Sequence, residues 1–200
     1  IKNEDHAREL SERIRNEEFS IESLSKRPEK RNPQAPFTTS SLQQEASKRL
    51  GFSNNKSMLI AQQLYEGVKV GGEGETGLIT YMRTDSVRLS PEAQSAAKDF
   101  IGNNYGKDYL PEKPPFYKTK SSNVQDAHEA IRPTTVDITP KDARKYLNKD
   151  QANLYELIFN RFIASQMAPA VMDKTTVNIK GGDFVFRATD SIVKFPGFLK

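Results

Sequence analysis

The chain contains no cysteine and no tryptophan, and only two histidines among its 200 residues. Without thiols it can form neither a disulfide nor a thiolate zinc site, which agrees with a reducing compartment. Long apolar runs are missing as well. Hydrophobic residues make up 36% and charged residues 28% of the sequence, and nothing approaches the roughly 20 apolar residues of a membrane-spanning helix. The N-terminal IKNEDHAREL is charged and lacks the apolar centre of a secretion signal, so a cytoplasmic protein without a membrane partner is expected. A phosphate loop is absent too: GVKVGGEGETG (67–77) does not match GxxxxGK[ST], and its glutamates oppose a phosphate cradle. That stretch is expected to be a loop. Neither sign of charge is scarce, with 30 Lys and Arg against 26 Asp and Glu and a net +4, a balance that permits nucleic-acid binding without requiring it.

Two hundred residues suffice for one core, or for one domain with pieces of another. Ala7, Leu10 and Ile14 predict an amphipathic helix over 4–16, and Phe19, Ile21 and Leu24 alternate as a strand. Lys26 to Pro36 is basic and proline-bearing, and reads as a crossing between domains. Thr39 or Ser40 can cap a helix through Leu42, Ala46 and Leu50 that Gly51 ends, and a second helix follows from about Lys56. The pair resembles a helix-turn-helix. Ser90-Pro91-Glu92 starts a helix to about Asn103, and an irregular Tyr- and Pro-rich crossing covers 105–124. There Tyr105, Tyr109, Phe116 and Tyr117 could stack on unpaired bases, although packing under a long loop is commoner. Thr139-Pro140 caps a further helix, and residues 151–166 form a core helix. Beyond Pro169 the period changes to two from Thr175, with a turn at Gly181-Gly182 and a last segment from Ile192 to Phe198. The pattern as a whole is α+β, with a mainly helical middle and β-rich ends.

The chemistry concentrates in GLITYMRTDS (77–86). Leu78, Ile79, Thr80, Tyr81 and Met82 predict a strand, whose two-residue period puts Tyr81 and Arg83 on one face. A half-buried aromatic beside a surface arginine is the plain reading. The functional one is a nucleophile beside a phosphate clamp, because a planar guanidinium matches two phosphate oxygens and favours an ionised phenol nearby. Phenols, with a pKa of about 10, leave phosphorus far more readily than alkoxides, so a phosphotyrosine can keep the energy of a cut phosphodiester. In QDAHEAIRP, Asp126 is expected to cap one helical turn that Pro133 ends, putting His128 and Arg132 on one face. Arginine at the second ligand position rules out an HExxH zinc site.

Three blocks, APFTTSSLQQEASKRLGF (35–52), LITYMRTDSVRLSPEA (78–93) and QDAHEAIRPT (125–134), resemble bacterial type IA DNA topoisomerase I in the same order. The resemblance implies a winged-helix-like domain at 33–167 that carries the tyrosine. It would be inserted into a β-rich arch represented by 1–32 and 168–200. It makes Tyr81 the nucleophile that joins a 5′ phosphate, Arg83 the holder of the scissile phosphate and His128 a member of the same active region. Asp85 would support a basic neighbour, and Arg132 would contact backbone phosphate. Single-stranded and negatively supercoiled DNA are the implied partners, relaxed without ATP.

The same resemblance implies magnesium in the intact enzyme, held by an N-terminal domain through a glutamate and a DxDxD-like cluster. No such spacing occurs between Ile1 and Lys200. The chain is therefore expected to be a fragment that binds no metal, is inactive alone and needs the remaining domains as partners. The rival expectation is a non-catalytic winged-helix DNA-binding module, in which base-reading groups would sit on the helix from Lys56 to Glu66. That helix offers few basic residues.

Overall fold

In the computed structural model, which describes residues 1–71, 74–118 and 128–200, the elements follow in chain order. They are α1 (Glu4–Arg15), β1 (Ser20–Arg31), α2 (Thr39–Leu50), α3 (Asn54–Glu66), β2 (Val68–Lys69), β3 (Glu75–Thr76), α4 (Pro91–Asn104), α5 (Pro140–Ala143), α6 (Lys149–Ser165), β4 (Ala170–Gly181) and β5 (Phe184–Phe195). Short 3-10 turns lie at Lys107–Tyr109 and Gly197–Leu199. The chain divides into two compact units, residues 1–31 with 170–196, and residues 32–169 with 197–200.

In the first unit the Asn3 side chain caps α1 by accepting from the His6 amide, and acids open the helix while Arg13 and Arg15 close it, as the helix dipole favours. A three-stranded antiparallel sheet follows, in the order β1-β4-β5. One row of the sheet joins Ile21, Ile179 and Phe186, and the next joins Leu24, Val177 and Ala188. A register shift between Ile21 and Ser23 keeps both rows on one face. The other face is polar, with Asn178 donating to Ser23 Oγ at 2.9 Å and Arg187 Nε donating to Asn178 at 3.0 Å. Three expectations are corrected here. Lys26 to Arg31 is no crossing but the second half of β1, paired from Thr175 to Ala170. Its Pro28 is tolerated because β1 is an edge strand. β4 starts at Ala170, ahead of Thr175, and the two expected segments beyond the Gly182 turn are one strand, β5.

The second unit is mainly helical. Thr38, one residue before the expected caps, closes a reciprocal capping box with Ser41 at the start of α2, and Gly51 ends α2 in the left-handed region at φ 68°. Ser53 caps α3, Ser90 caps α4, and Asn148 with Gln151 caps α6. α6 is the central helix: Leu154, Tyr155, Ile158 and Phe162 on it are buried beside Phe37, Leu42 and Leu64. The glycine-rich loop expected at 67–77 carries a small ribbon, with Val68 opposite Thr76 and Lys69 opposite Glu75.

Two further corrections concern the stretch that bears the chemistry. Residues 77–90 form no strand; among the described residues Ile79 makes only an isolated bridge, to Pro133. The reason is local, since Pro133 has no N–H to extend a ladder and the backbone beyond Thr80 bonds to a helix start instead. Residues 128–133 are not a helical turn either. They run extended, bridged at Ile131 to Phe37 and at Pro133 to Ile79, so the backbone groups that a helix would use are spent on long-range pairs. The expected Asp126 cap lies outside the described residues, as does the part of the 105–124 crossing from 119 onward.

Candidate active site

Burial alternates along the irregular segment although no ladder forms. Leu78, Ile79, Met82, Thr84 and Ser86 point into the unit, and Tyr81, Arg83 and Asp85 point out. The apolar side chains act as the anchor, with Leu78, Ile79 and Met82 each 1% exposed. Backbone bonds then hold the segment on both sides. Thr80 N donates to the Arg132 carbonyl at 2.9 Å and Thr134 N to the Leu78 carbonyl at 3.0 Å, while Thr39 N donates to the Thr84 carbonyl at 2.9 Å. At the entrance, Leu78 N donates to the Leu64 carbonyl at 2.7 Å. A Cβ on Gly77 would lie 2.6 Å from the Tyr65 carbonyl, so only glycine permits this approach to α3.

The outward residues meet in one open pocket of ≈ 520 Å³, lined by Thr39, Ser40, Tyr81, Arg83, Thr84, Asp85 and His128. Tyr81 is 36% exposed and lines this pocket. Its ring centroid lies 5.4 Å from that of Tyr65, edge to face, and 5.4 Å from that of His128, tilted at 41°. Arg83, Asp85 and His128 have no side-chain hydrogen bond or ion pair among the described residues. A guanidinium left without an internal anion and facing an open pocket is available to an external one.

Arg132 lies outside this pocket. Its Nε donates to Glu129 at 2.6 Å and its Nη1 to the Pro133 carbonyl at 2.9 Å, so much of its fork is engaged internally. The four candidate stacking aromatics also separate. Tyr105 and Tyr109 contact each other at 6.0 Å, Phe116 is 82% exposed, and Tyr117 donates to the Ser165 carbonyl at 2.7 Å. Burial pushes the Tyr117 phenol up to about 12, against a smaller opposing pull from Arg161. Sequence reasoning missed Thr39, Ser40 and Tyr65 as pocket neighbours. The run Thr38-Thr39-Ser40-Ser41 holds more hydroxyls than a helix cap needs, and that surplus was the available signal.

A second open pocket of ≈ 550 Å³ shares Ser40 and Asp85 with the first and includes Arg161 and Lys118. Arg161 is already committed there, stacked 4.3 Å from the Phe37 centroid and 3.6 Å from Glu45. Among the described residues no cluster of three or more His, Cys, Asp or Glu could hold a metal ion, and Asp85 is the first pocket's lone carboxylate. The described residues do not fit a magnesium site. No helix among the described residues is long and apolar enough to cross a membrane.

Residues 1–200 match the family model described as DNA topoisomerase. The chain is similar to DNA topoisomerase 1 of Campylobacter jejuni, 48% identical over 200 residues, covering 100% of this chain and 28% of that protein. It is similar to DNA topoisomerase 1 of Rickettsia prowazekii, 48% identical over 202 residues, covering 100% of this chain and 26% of that protein. Among solved structures, full-length topoisomerase I from Thermotoga maritima superimposes with a TM-score of 0.82 at 43% identity, over 96% of this chain and 31% of that one. The α+β class expected from the sequence is the class found, and the chain spans less than a third of the length of these relatives.

Proposed function

Because the chain belongs to the DNA topoisomerase family, we propose that it is the strand-cleaving portion of a bacterial type IA topoisomerase, with Tyr81 as nucleophile. The observation that carries this reading is the convergence of Tyr81, Arg83 and His128 on one solvent-open pocket from segments some 45 residues apart in sequence. In the proposed step the Tyr81 oxygen forms a bond to phosphorus as the bond from phosphorus to the 3′ oxygen breaks. The net proton passes from the phenol to the departing 3′ hydroxyl. The strand's 5′ phosphate stays on Tyr81, and the reverse attack reseals it without ATP.

Arg83 would grip two non-bridging oxygens of the scissile phosphate, a geometry that a lysine cannot reproduce. The imidazole of His128 can donate to a phosphate oxygen from beside the Tyr81 ring. Asp85, two residues from Arg83 on the same outward face, would orient Arg83 or an incoming basic group. Arg132 would be a flanking contact to the DNA backbone through the part of its fork that Glu129 and Pro133 leave open. Single-stranded and negatively supercoiled DNA are the proposed substrates in the cytoplasm, and the remaining domains of the same enzyme the proposed partners. Magnesium is assigned to those domains.

A purely DNA-binding module draws less support. Its reading helix would be α3, whose one basic residue, Lys56, pairs with Asp150 at 2.7 Å and lies over the Phe52 ring at 4.3 Å. The test is Tyr81→Phe in the full-length enzyme, incubated with end-labelled single-stranded DNA and quenched with denaturant. The expected outcome is complete loss of the 5′-linked adduct with DNA binding nearly unchanged. An adduct that survives moves the nucleophile elsewhere.

A further inference from the structure

The backbone on both sides of Arg83 is held by one side chain from a distant part of the sequence. Thr39 Oγ1 donates to the Met82 carbonyl at 2.8 Å, with the Thr84 carbonyl at 3.1 Å as a second acceptor, and accepts from Thr84 N at 2.9 Å. Its own backbone N–H donates to the same Thr84 carbonyl at 2.9 Å. A hydroxyl has one proton and two lone pairs, so the proton and an acceptor position are both used on this one segment. Nothing in α2 requires this of Thr39. The cap is Thr38 and its reciprocal partner is Ser41, so the helix start is complete without the Thr39 hydroxyl.

We propose that Thr39 is a positioning residue for strand cleavage: its hydroxyl sets the backbone from Met82 to Thr84, and through it the placement of Tyr81 and Arg83. This inference rests on the functional reading above. The hold is stiff at its far end, because α2 is seated in the core through Leu42 and Ala46, both 0% exposed. On the other side of Tyr81, Thr80 Oγ1 donates to the Ala130 carbonyl at 2.7 Å and accepts from Arg132 N at 3.0 Å. Tyr81 and Arg83 are thereby held between two threonine contacts. The Thr80 contact ties the nucleophile to the segment that carries His128, and the Thr39 contact ties the phosphate clamp to α2. With no regular ladder through 80–84, these side-chain bonds take the place of strand pairing. In-line attack at phosphorus tolerates little error, and a misplacement of about 1 Å can cost roughly 100-fold in rate.

The experiment compares Thr39→Val and Thr39→Ser with the parent in the full-length enzyme. Three quantities are read: the single-turnover rate of adduct formation at saturating single-stranded oligonucleotide, oligonucleotide affinity in a Tyr81→Phe background, and the melting midpoint. Valine keeps the shape and removes the hydroxyl, whereas serine restores it. The expected result is a loss of about tenfold or more in the valine variant's cleavage rate, with affinity within a factor of about two and most of the rate recovered with serine. Thr39→Cys, of similar size but a weak donor, is expected to fall between the two, and serves if the valine variant folds poorly. The inference is overturned if the valine variant cleaves at the parental rate. It is equally overturned if rate, affinity and melting midpoint fall together and serine does not recover them, since Thr39 would then only hold the fold. Adduct formation by Tyr81→Phe itself would instead sink the functional reading, which separates the two failures.

Discussion

Arg83 stands in the pocket without an internal partner among the described residues, and a partnerless fork is worth most to a ligand with two oxygens to offer. Arg83→Lys in the full-length enzyme is therefore expected to keep most noncovalent DNA binding and to lower the adduct-forming rate by about 100-fold, the order seen when one transition-state donor is removed. Single-turnover cleavage beside an equilibrium binding measurement checks this. A different residue reports on stability. Tyr117 is half-buried as the neutral phenol, its folded pKa pushed up to about 12 from an ordinary 10.0 by desolvation. Its stabilising share is then fully present below pH 10 and is lost as the pH rises from there towards 12. Denaturant midpoints are expected to fall across that window. Tyr117→Phe should flatten its part of the fall and cost about 1 kcal/mol at neutral pH through the lost bond to Ser165.

At the scale of elements, the segment 77–86 depends on what surrounds it more than on its own pairing. Gly77 is where it passes under α3, and Gly77→Ala would drive a Cβ against the Tyr65 carbonyl, a backbone atom that cannot swing aside. A loss of roughly 1–3 kcal/mol in unfolding free energy is expected, typical of overpacking, with slowed adduct formation, since Tyr65 contacts the Tyr81 ring. Calorimetry and single-turnover cleavage read the two effects separately. Two helix starts were legible at the cap itself, because a hydroxyl before a proline-led first turn is a local signal: Ser90 and Thr139 each accept a bond from their own first turn. The caps Ser53 and Asn148 were not, and α3 and α6 start about two residues ahead of where their apolar repeats become visible. The strand expected from Leu78 to Met82 does not form, because its alternation belongs to any extended backbone. A ladder needs a partner, and that partner carries Pro133.

At the scale of the whole molecule, the chain has the proposed nucleophile and phosphate clamp but, among the described residues, no set of carboxylates or histidines suited to a cation. The 200-residue chain alone is expected to form no adduct with single-stranded DNA, with or without magnesium. An adduct linked to Tyr81 should appear when the remaining domains are supplied in trans. Weak DNA binding by the chain itself should fall with salt at a shallow slope, that of a few released counterions, since it rests on few phosphate contacts such as those proposed for Arg83, His128 and Arg132. Adduct formation by the isolated chain, read on a denaturing gel, would refute this.

The sequence by itself determined the α+β class, most helix boundaries to within about two residues, the shared face of Tyr81 and Arg83, and the family through its three blocks. All of these rest on short-range periodicity, on caps or on residue identity. Tertiary structure alone decided that residues 128–133 are extended, because their backbone groups pair with Phe37, Thr80 and Arg88 across long stretches of chain. It also decided that Thr39 bonds around Arg83, and that Tyr65 and His128 both meet the Tyr81 ring. The site is assembled from three segments whose separations carry no periodic signal, and only the packing of α2, α3 and α6 around a shared core brings them to one pocket.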